Sequence, residues 1–356
     1  MQSTLAVLCP FTPLLSPHVD LVQRWSLHWA TRHGLLDRPG ARAAFARARF
    51  ANLMARTYPD ADPAELQLAT AWLISVFALD DHLERAGDPA ATRHLVDEVL
   101  DLLTHHDRGT HEPDTHESDT HEPDMHEPDM HEPPKGHLRA LAEVWRRTRP
   151  RVSPAWRARF IGHVGDYLEA TVWEAGNRAA NRPPPLAEYR TMRFRTAAID
   201  MFFDLIEPVH GVELPAPVFA DHDFAAMRRS AGMITAIFND LVSWPKEEAA
   251  GDHHNIVLAL RHERRLPVEA AVLAAVAEHD ALVEDFVAAR ERFTAGPLAA
   301  DPAVAAVAGD FVHWIRGNVD WSMESGRYTP SDDTREDQPA GGTGPIAIPA
   351  QRHPVE

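Results

Sequence analysis

The sequence predicts an all-α protein whose body is one large helical domain. Ser-Pro and Asp-Pro pairs recur at Ser16-Pro17, Asp62-Pro63, Asp88-Pro89, Ser153-Pro154 and Asp301-Pro302, each an N-cap residue followed by a favoured first-turn proline. Long Ala-rich and apolar stretches lie between such signals, stopped by Gly or Pro. No alternating segment bounded by hairpin turns competes with them. At 356 residues the chain is long enough to bury a full core.

Ser16-Pro17 opens a helix through Trp25 and Trp29 that ends near Gly34. Residues 41–56 form a second helix, stopped by Tyr58-Pro59. Asp62-Pro63 opens a third that runs to about Arg85, and Asp88-Pro89 a fourth. Further helices are expected at about 137–147, 154–180, 186–207, 222–248, 253–264, 267–294 and 302–325.

The formal charge is −18, from 35 Lys and Arg against 53 Asp and Glu. Such a balance argues against a general nucleic-acid binder, which needs a basic surface. One cysteine, Cys9, excludes an internal disulfide framework. No run of 18 apolar residues exists, so no membrane span is expected. Met1 to Leu15 carries no Lys or Arg before its apolar stretch, and a cytoplasmic location is the simple expectation.

Half of the charge sits in one place. From Asp107 to Pro134 the chain falls into a five-residue repeat, HEPDT HESDT HEPDM HEPDM HEPP, with ten acids and one Arg. It has almost no apolar residue and cannot offset its ordering entropy, so a disordered surface insertion is expected. Its histidines, His111, His116, His121, His126 and His131, also allow weak metal binding. The Gly- and Pro-bearing tail, 329–356, is expected to be disordered as well. The domain proper is therefore placed at 1–328.

Two acidic strings interrupt apolar helices. The first is Asp80-Asp81-His82-Leu83-Glu84, closing the run from Trp72. Asp80, Asp81 and Glu84 share one helix end, where carboxylates oppose the macrodipole. Mg²⁺ between them would relieve that repulsion and bridge to substrate phosphates. A solvated last turn is the plain alternative. The second is Asn239, Ser243 and Glu247, at i, i+4 and i+8. They form one stripe drifting ~40° per step over ~12 Å. An amide oxygen, a hydroxyl and a carboxylate in line suit a hard cation, and an exposed polar face is the alternative. Pro245 lies inside this stripe and should kink the helix or loosen its end.

Together these strings resemble the class I terpene synthases, in particular the bacterial terpene cyclases. Asp80-Asp81-x-x-Glu84 is similar to the family's aspartate-rich motif, and Asn239-Asp240-x-x-Ser243-x-x-Lys246-Glu247 to its metal-binding triad. Tyr189-xxx-Arg193-xx-Thr196 with Leu205-Ile206-Glu207 resembles the helix that carries the diphosphate-sensing Arg. Arg327-Tyr328 resembles the C-terminal RY pair, preceded by Gly317-Asn-Val-Asp320-Trp321. Ser16-Pro-His-Val-Asp20 and His254-Asn255-Ile-Val-Leu258 match weaker signatures. The resemblance spans about residues 10–328. One departure is that bacterial members often place Asp directly after the sensor and Gly three residues beyond, where this chain has Phe194 and Ala197.

The resemblance implies a single class I terpenoid synthase-like α-helical bundle with an active-site cavity. It implies ionisation of a linear prenyl diphosphate and cyclisation of the carbocation, with farnesyl diphosphate to a sesquiterpene as the first expectation. Geranyl and geranylgeranyl diphosphate are the alternatives. Asp80 would bind metal, with Asp81 and Glu84 in support; Asn239, Ser243 and Glu247 would hold it on the facing wall. Three Mg²⁺ ions are implied, with Mn²⁺ as a substitute. Arg193, Lys246, Arg327 and Tyr328 would donate to the diphosphate. Phe77, Phe202 and Trp314 would line the cavity, where ring faces stabilise positive charge; Val76, Trp173 and Trp321 follow them. A chain-elongating prenyltransferase needs a second aspartate-rich motif, and a class II cyclase a DxDD string, and the sequence holds neither. A degenerate homologue binding a metal or partner through the HEPD repeat is the non-enzymatic alternative. The expected assembly is a monomer or homodimer, with no nucleic-acid partner.

Overall fold

The caps predicted at Asp62, Ser153 and Asp301 form where the sequence places them. Asp62 Oδ1 accepts from the N–H of Ala64 (2.8 Å) and Glu65 (2.9 Å). Ser153 Oγ accepts from Trp156 N at 3.1 Å, and Asp301 Oδ1 from Ala303 N at 2.8 Å. Each satisfies an amide that the first helical turn leaves without a partner. The computed structural model describes residues 7–86, 88–105 and 135–327; the acidic repeat, the C-terminal tail and Tyr328 lie outside them.

Fifteen α-helices are found among the described residues, and no β-strand. They are α1 (Val19–Arg32), α2 (Ala41–Ala48), α3 (Phe50–Thr57), α4 (Pro63–Ala86), α5 (Pro89–His105), α6 (Gly136–Thr148), α7 (Pro154–Ala179) and α8 (Leu186–Thr196). The remainder are α9 (Ile199–Asp204), α10 (Ile206–His210), α11 (Ala216–Phe219), α12 (His222–Ala250), α13 (Ile256–Arg264), α14 (Val268–Thr294) and α15 (Pro302–Glu324). α12 lies against α13, α14 and α15; α15 also lies along α3, α4 against α6, and α5 against α7. No described helix is long and apolar enough to cross a membrane.

Four expectations are corrected. The first helix begins at Val19, because Ser16 is drawn away: its N–H donates to Ala55 O at 2.8 Å. The helix expected over 41–56 breaks at Arg49, whose φ is 51°. The freed carbonyls of Ala48 and Arg49 accept from Trp321 Nε1 at 2.8 and 3.2 Å, so a tertiary contact overrides helix propensity. The helix expected over 186–207 breaks at Ala198, φ 56°, a left-handed conformation that costs an L-residue about 1–2 kcal/mol. Gly232 of α12 faces this break. A Cβ there would lie 2.5 Å from the Phe194 ring and 2.8 Å from Ile199 Cγ2, so only glycine lets α12 approach. Fourth, the helix expected from 253 starts at Ile256, since Asn255 Oδ1 caps Val257 N at 2.8 Å. At Pro245 α12 does not end; it continues to Ala250.

The core is aromatic where α4, α6 and α7 meet. Phe160 contacts Trp72 and Trp156 at centroid distances of 4.9 and 4.8 Å, and Trp145 at 5.9 Å. Each buried indole N–H finds an acceptor: Thr148 Oγ1 (2.9 Å), Asp204 O (3.2 Å) and Leu103 O (3.1 Å). Burying such a ring contributes about 4 kcal/mol before entropy is counted. Beside it, Asp204 is fully buried and meets Arg228 (2.9 Å), His163 (2.6 Å) and Arg159 (3.3 Å). These partners hold its carboxyl below the usual range against the opposing effect of burial. Glu207 pairs with the same Arg159 and accepts from Leu214 N at 2.6 Å. The Leu205–Glu207 string thus ties α10 to α7.

Candidate active site

The second acidic string stands on α12, opposite α8. Arg193 projects from α8 and donates from Nε to Asp240 Oδ1 at 2.9 Å. Its Nη2 lies 2.8 Å from the same carboxylate oxygen and 3.0 Å from Asn239 Oδ1. Burial works against this charge, and Asp240 more than offsets it, so the guanidinium is held protonated more firmly than in free arginine. Asp240 also accepts from the Tyr189 hydroxyl and from Ile256 N, the latter at 2.8 Å. Burial still raises the Asp240 carboxyl, although these four donors pull toward its charged form.

Asn239, Ser243 and Glu247 follow the expected stripe. Burial and the Asp240 charge push the Glu247 carboxyl up to about 7, against the pull of Asn255 and Ser243. Asn255 Nδ2 bridges Glu247 Oε2 (2.8 Å) and Asp240 O (2.9 Å). Ser243 Oγ leans toward Glu247 but completes no hydrogen bond among the described residues, and it is sealed from solvent. Lys246 is exposed, and no ion pair among the described residues joins it to the rest of the site.

The first acidic string ends α4. Asp80 Oδ1 accepts from the Tyr167 hydroxyl at 3.1 Å. Burial raises its carboxyl, Arg327 opposes this and Asp81 adds to it. Arg327 approaches Asp81 at 3.9 Å and lies 4.1 Å over the Phe77 ring, a cation–π geometry. Glu84 continues α4; its side chain, like all of Tyr328, lies outside the described residues.

Helix α7 joins the two walls through residues that sequence reasoning missed. Tyr167, Glu174 and Arg178 are spaced i, i+7 and i+11, one face of a helix. Burial raises Glu174; His254 and Arg178 oppose it, while Asp252 and Asp80 add to it. The charge of Glu174 also reaches Arg193. Arg178 Nη1 lies 3.1 Å from Asp252 and 3.6 Å from Glu174. A polar stripe on an apolar helix was the signal that could have found them.

The aromatic candidates separate into two groups. Phe202 and Trp314 meet at 5.6 Å, and Tyr58 reaches Trp314 at 5.6 Å and Phe202 O at 2.7 Å. Phe77 is remote from that pair in its contacts: it meets Phe50 at 4.9 Å and Trp321 at 6.4 Å. Trp173 stands edge-on to His254 at 5.1 Å and donates to Glu188 at 2.6 Å.

Among the described residues no three His, Cys, Asp or Glu side chains converge as a closed metal site. The donor set nevertheless suits a hard cation. It is all oxygen, its half-buried carboxyls Asp80 and Glu247 are raised, and Ser243 Oγ has an unused lone pair.

Residues 71–285 match the family model described as terpene synthase family 2, C-terminal metal binding. The chain is 31% identical to 10-epi-cubebol synthase of Sorangium cellulosum (strain So ce56) over 92% of this chain and 98% of that one. It is 31% identical to (+)-T-muurolol synthase of Roseiflexus castenholzii (strain DSM 13941 / HLO8), covering 92% and 94%. The crystal structure of germacradien-4-ol synthase from Streptomyces citricolor shares the fold, with a TM-score of 0.74 at 23% identity over 90% of this chain and 99% of that one.

Proposed function

This chain belongs to the terpene synthase family, and from that membership we propose that it ionises farnesyl diphosphate and cyclises the cation to a sesquiterpene. The Roseiflexus relative is named as cyclising (2E,6E)-farnesyl diphosphate, which supports the C15 substrate over geranyl or geranylgeranyl diphosphate. The observation that carries the reading is the Arg193–Asp240 pair. It sets a firmly charged guanidinium against Asn239, inside the stripe that ends at Glu247. A degenerate, non-enzymatic homologue would have no use for such an arrangement, and the family is one of enzymes.

In this reading one domain, about 1–328, carries the whole site. The family's region is metal-binding. Asp80 and Asp81, with Glu84, would hold Mg²⁺ on α4, and Asn239, Ser243 and Glu247 would hold it on α12. Three ions are proposed, with Mn²⁺ as a substitute. When bound, they supply the positive charge that a departing diphosphate requires. The chain's own donors do the rest. Arg193 and Arg327 bind the diphosphate oxygens, and Lys246 and Tyr328 join them. Arg327 exchanges its contact with Asp81 for the substrate. The departing diphosphate takes the final proton, so no side-chain base is required. Phe202 and Trp314 offer ring faces to the carbocation.

Incubation with farnesyl, geranyl and geranylgeranyl diphosphate in turn, each with Mg²⁺, followed by gas chromatography of a pentane extract, tests the reading. A cyclic C15 product from the first substrate supports it. Turnover confined to another chain length replaces the substrate, and no product from any of them overturns it.

A further inference from the structure

Helix α15 carries Trp314, Asn318 and Ser322 at four-residue steps, one stripe drifting ~40° per step. The three residues are 2%, 7% and 5% exposed. Asn318 Oδ1 and Ser322 Oγ are sealed from solvent and accept or donate no hydrogen bond among the described residues. Trp314 Nε1 leans on the Tyr58 hydroxyl without completing a bond.

The other face of α15 is committed elsewhere. Arg56 of α3 pairs with Asp320 (3.1 Å) and Glu324 (2.8 Å), and a Cβ on Gly317 would lie 2.9 Å from Arg56 Cβ. The stripe therefore points into the bundle. At one end Trp314 meets Phe202 and Phe203. At the other, neighbouring Trp321 meets Phe77, the ring beneath Arg327. Along the helix Asn318 lies between these two aromatic contacts, and Ser322 lies at the second.

An unsatisfied amide oxygen or hydroxyl is costly to bury. Core apolar residues would fill this face more cheaply. Two such groups one turn apart, both on the face turned into the bundle, suit a shared small partner with its own donors and acceptors, and one water is the smallest.

We propose that Asn318 and Ser322 hold one water against the carbocation, so that the product is a terpene alcohol. The inference rests on the cyclase reading above and names its product class. An oxygen lone pair of the water forms a C–O bond to the cationic carbon, and the resulting oxonium loses its proton to the departed diphosphate. Nothing is oxidised or reduced, and the product is the cyclised hydrocarbon plus one water.

The test is turnover of farnesyl diphosphate by the full chain in ¹⁸O-water, read by gas chromatography with mass spectrometry. The expected main product is an alcohol carrying the heavy oxygen. In Asn318→Leu and in Ser322→Ala the alcohol-to-hydrocarbon ratio falls by about fivefold, the effect of one lost hydrogen bond to the water. A wild-type product that is mainly hydrocarbon overturns the proposal while leaving the cyclase reading intact. So does an alcohol whose share is unchanged in both variants. No product from any prenyl diphosphate overturns the cyclase reading and this inference together. The wild-type measurement decides even where a variant fails to fold.

Discussion

Arg327 lies 4.1 Å over the ring of Phe77, which joins a residue expected to bind diphosphate to one expected to face hydrocarbon. The ring also packs on Phe50 and Trp321. Phe77 therefore serves as the seat on which the Arg327 guanidinium rests.

Phe77→Leu removes that seat. The cation–π contact contributes about 1 kcal/mol and lost packing about another 1 kcal/mol. The melting temperature is expected to fall by a few degrees. KM for the prenyl diphosphate is expected to rise several-fold as Arg327 loses its orientation. Lower melting temperature with unchanged KM and unchanged products would reduce Phe77 to a core residue.

Asp240→Asn tests the anchor of Arg193. The amide keeps the shape but removes the charge facing a buried guanidinium. Breaking a buried pair in this way costs about 3–5 kcal/mol. Thermal unfolding should shift down sharply, and kcat should fall more than Arg193→Lys lowers it. A variant with wild-type stability would show that the Tyr189 hydroxyl, not the charge, holds α8 to α12.

Glu247→Gln and Asp80→Ala separate activity from stability. Each removes an expected metal ligand, so turnover should drop by at least about 100-fold. Glu247 is also a half-buried carboxyl raised to about 7, so above that pH its charge is a burden on the folded state. Without divalent metal at about pH 8, Glu247→Gln should stabilise the fold by about 1 kcal/mol, discounted for partial exposure. Circular dichroism melts check both statements, and retained turnover in either variant removes that residue from the metal set.

A pH dependence follows from the far end of α15. His210 meets Asp310 at 2.9 Å, and that hydrogen bond raises its proton affinity against the effect of burial. Asp310 also meets His313 at 3.2 Å, with Asp60 and Arg290 lining the same hollow. A histidine raised on folding stabilises fully below its ordinary value, and that contribution is lost as pH rises through the raised one. The wild type should therefore lose about 1 kcal/mol between about pH 6 and about pH 9 that His210→Gln does not lose. Equal slopes for both proteins would sink the assignment.

What could be read in advance depended on range. The caps at Asp62, Ser153 and Asp301 are local hydrogen bonds, and they lie where the sequence puts them. The spacing of Asn239, Ser243 and Glu247 on one helix is equally local. The breaks at Arg49 and Ala198 were hidden, because Trp321 and Gly232 that stabilise them are distant in sequence. The same holds for Tyr167 and Glu174, which acquire meaning only when α7 is set between α4 and α8. Phe77 was grouped with Phe202 and Trp314 because aromatic identity does not report which neighbours a ring meets.

The clasp between α3 and α15 carries a consequence for how the molecule is made. Arg56 reaches Asp320 and Glu324, and Arg47 O accepts from Gly326 N at 3.0 Å. These contacts join residues more than 260 positions apart, and contacts of such range are expected to form late in folding. During synthesis the final helix leaves the ribosome last. Arg327 follows it, so under the proposed function the diphosphate-binding end of the bundle is expected to be completed late in folding. Under the proposed function, a nascent or truncated chain can then bury most of its core and still lack the arginine that would grip a diphosphate, so ionisation waits on the fold being closed.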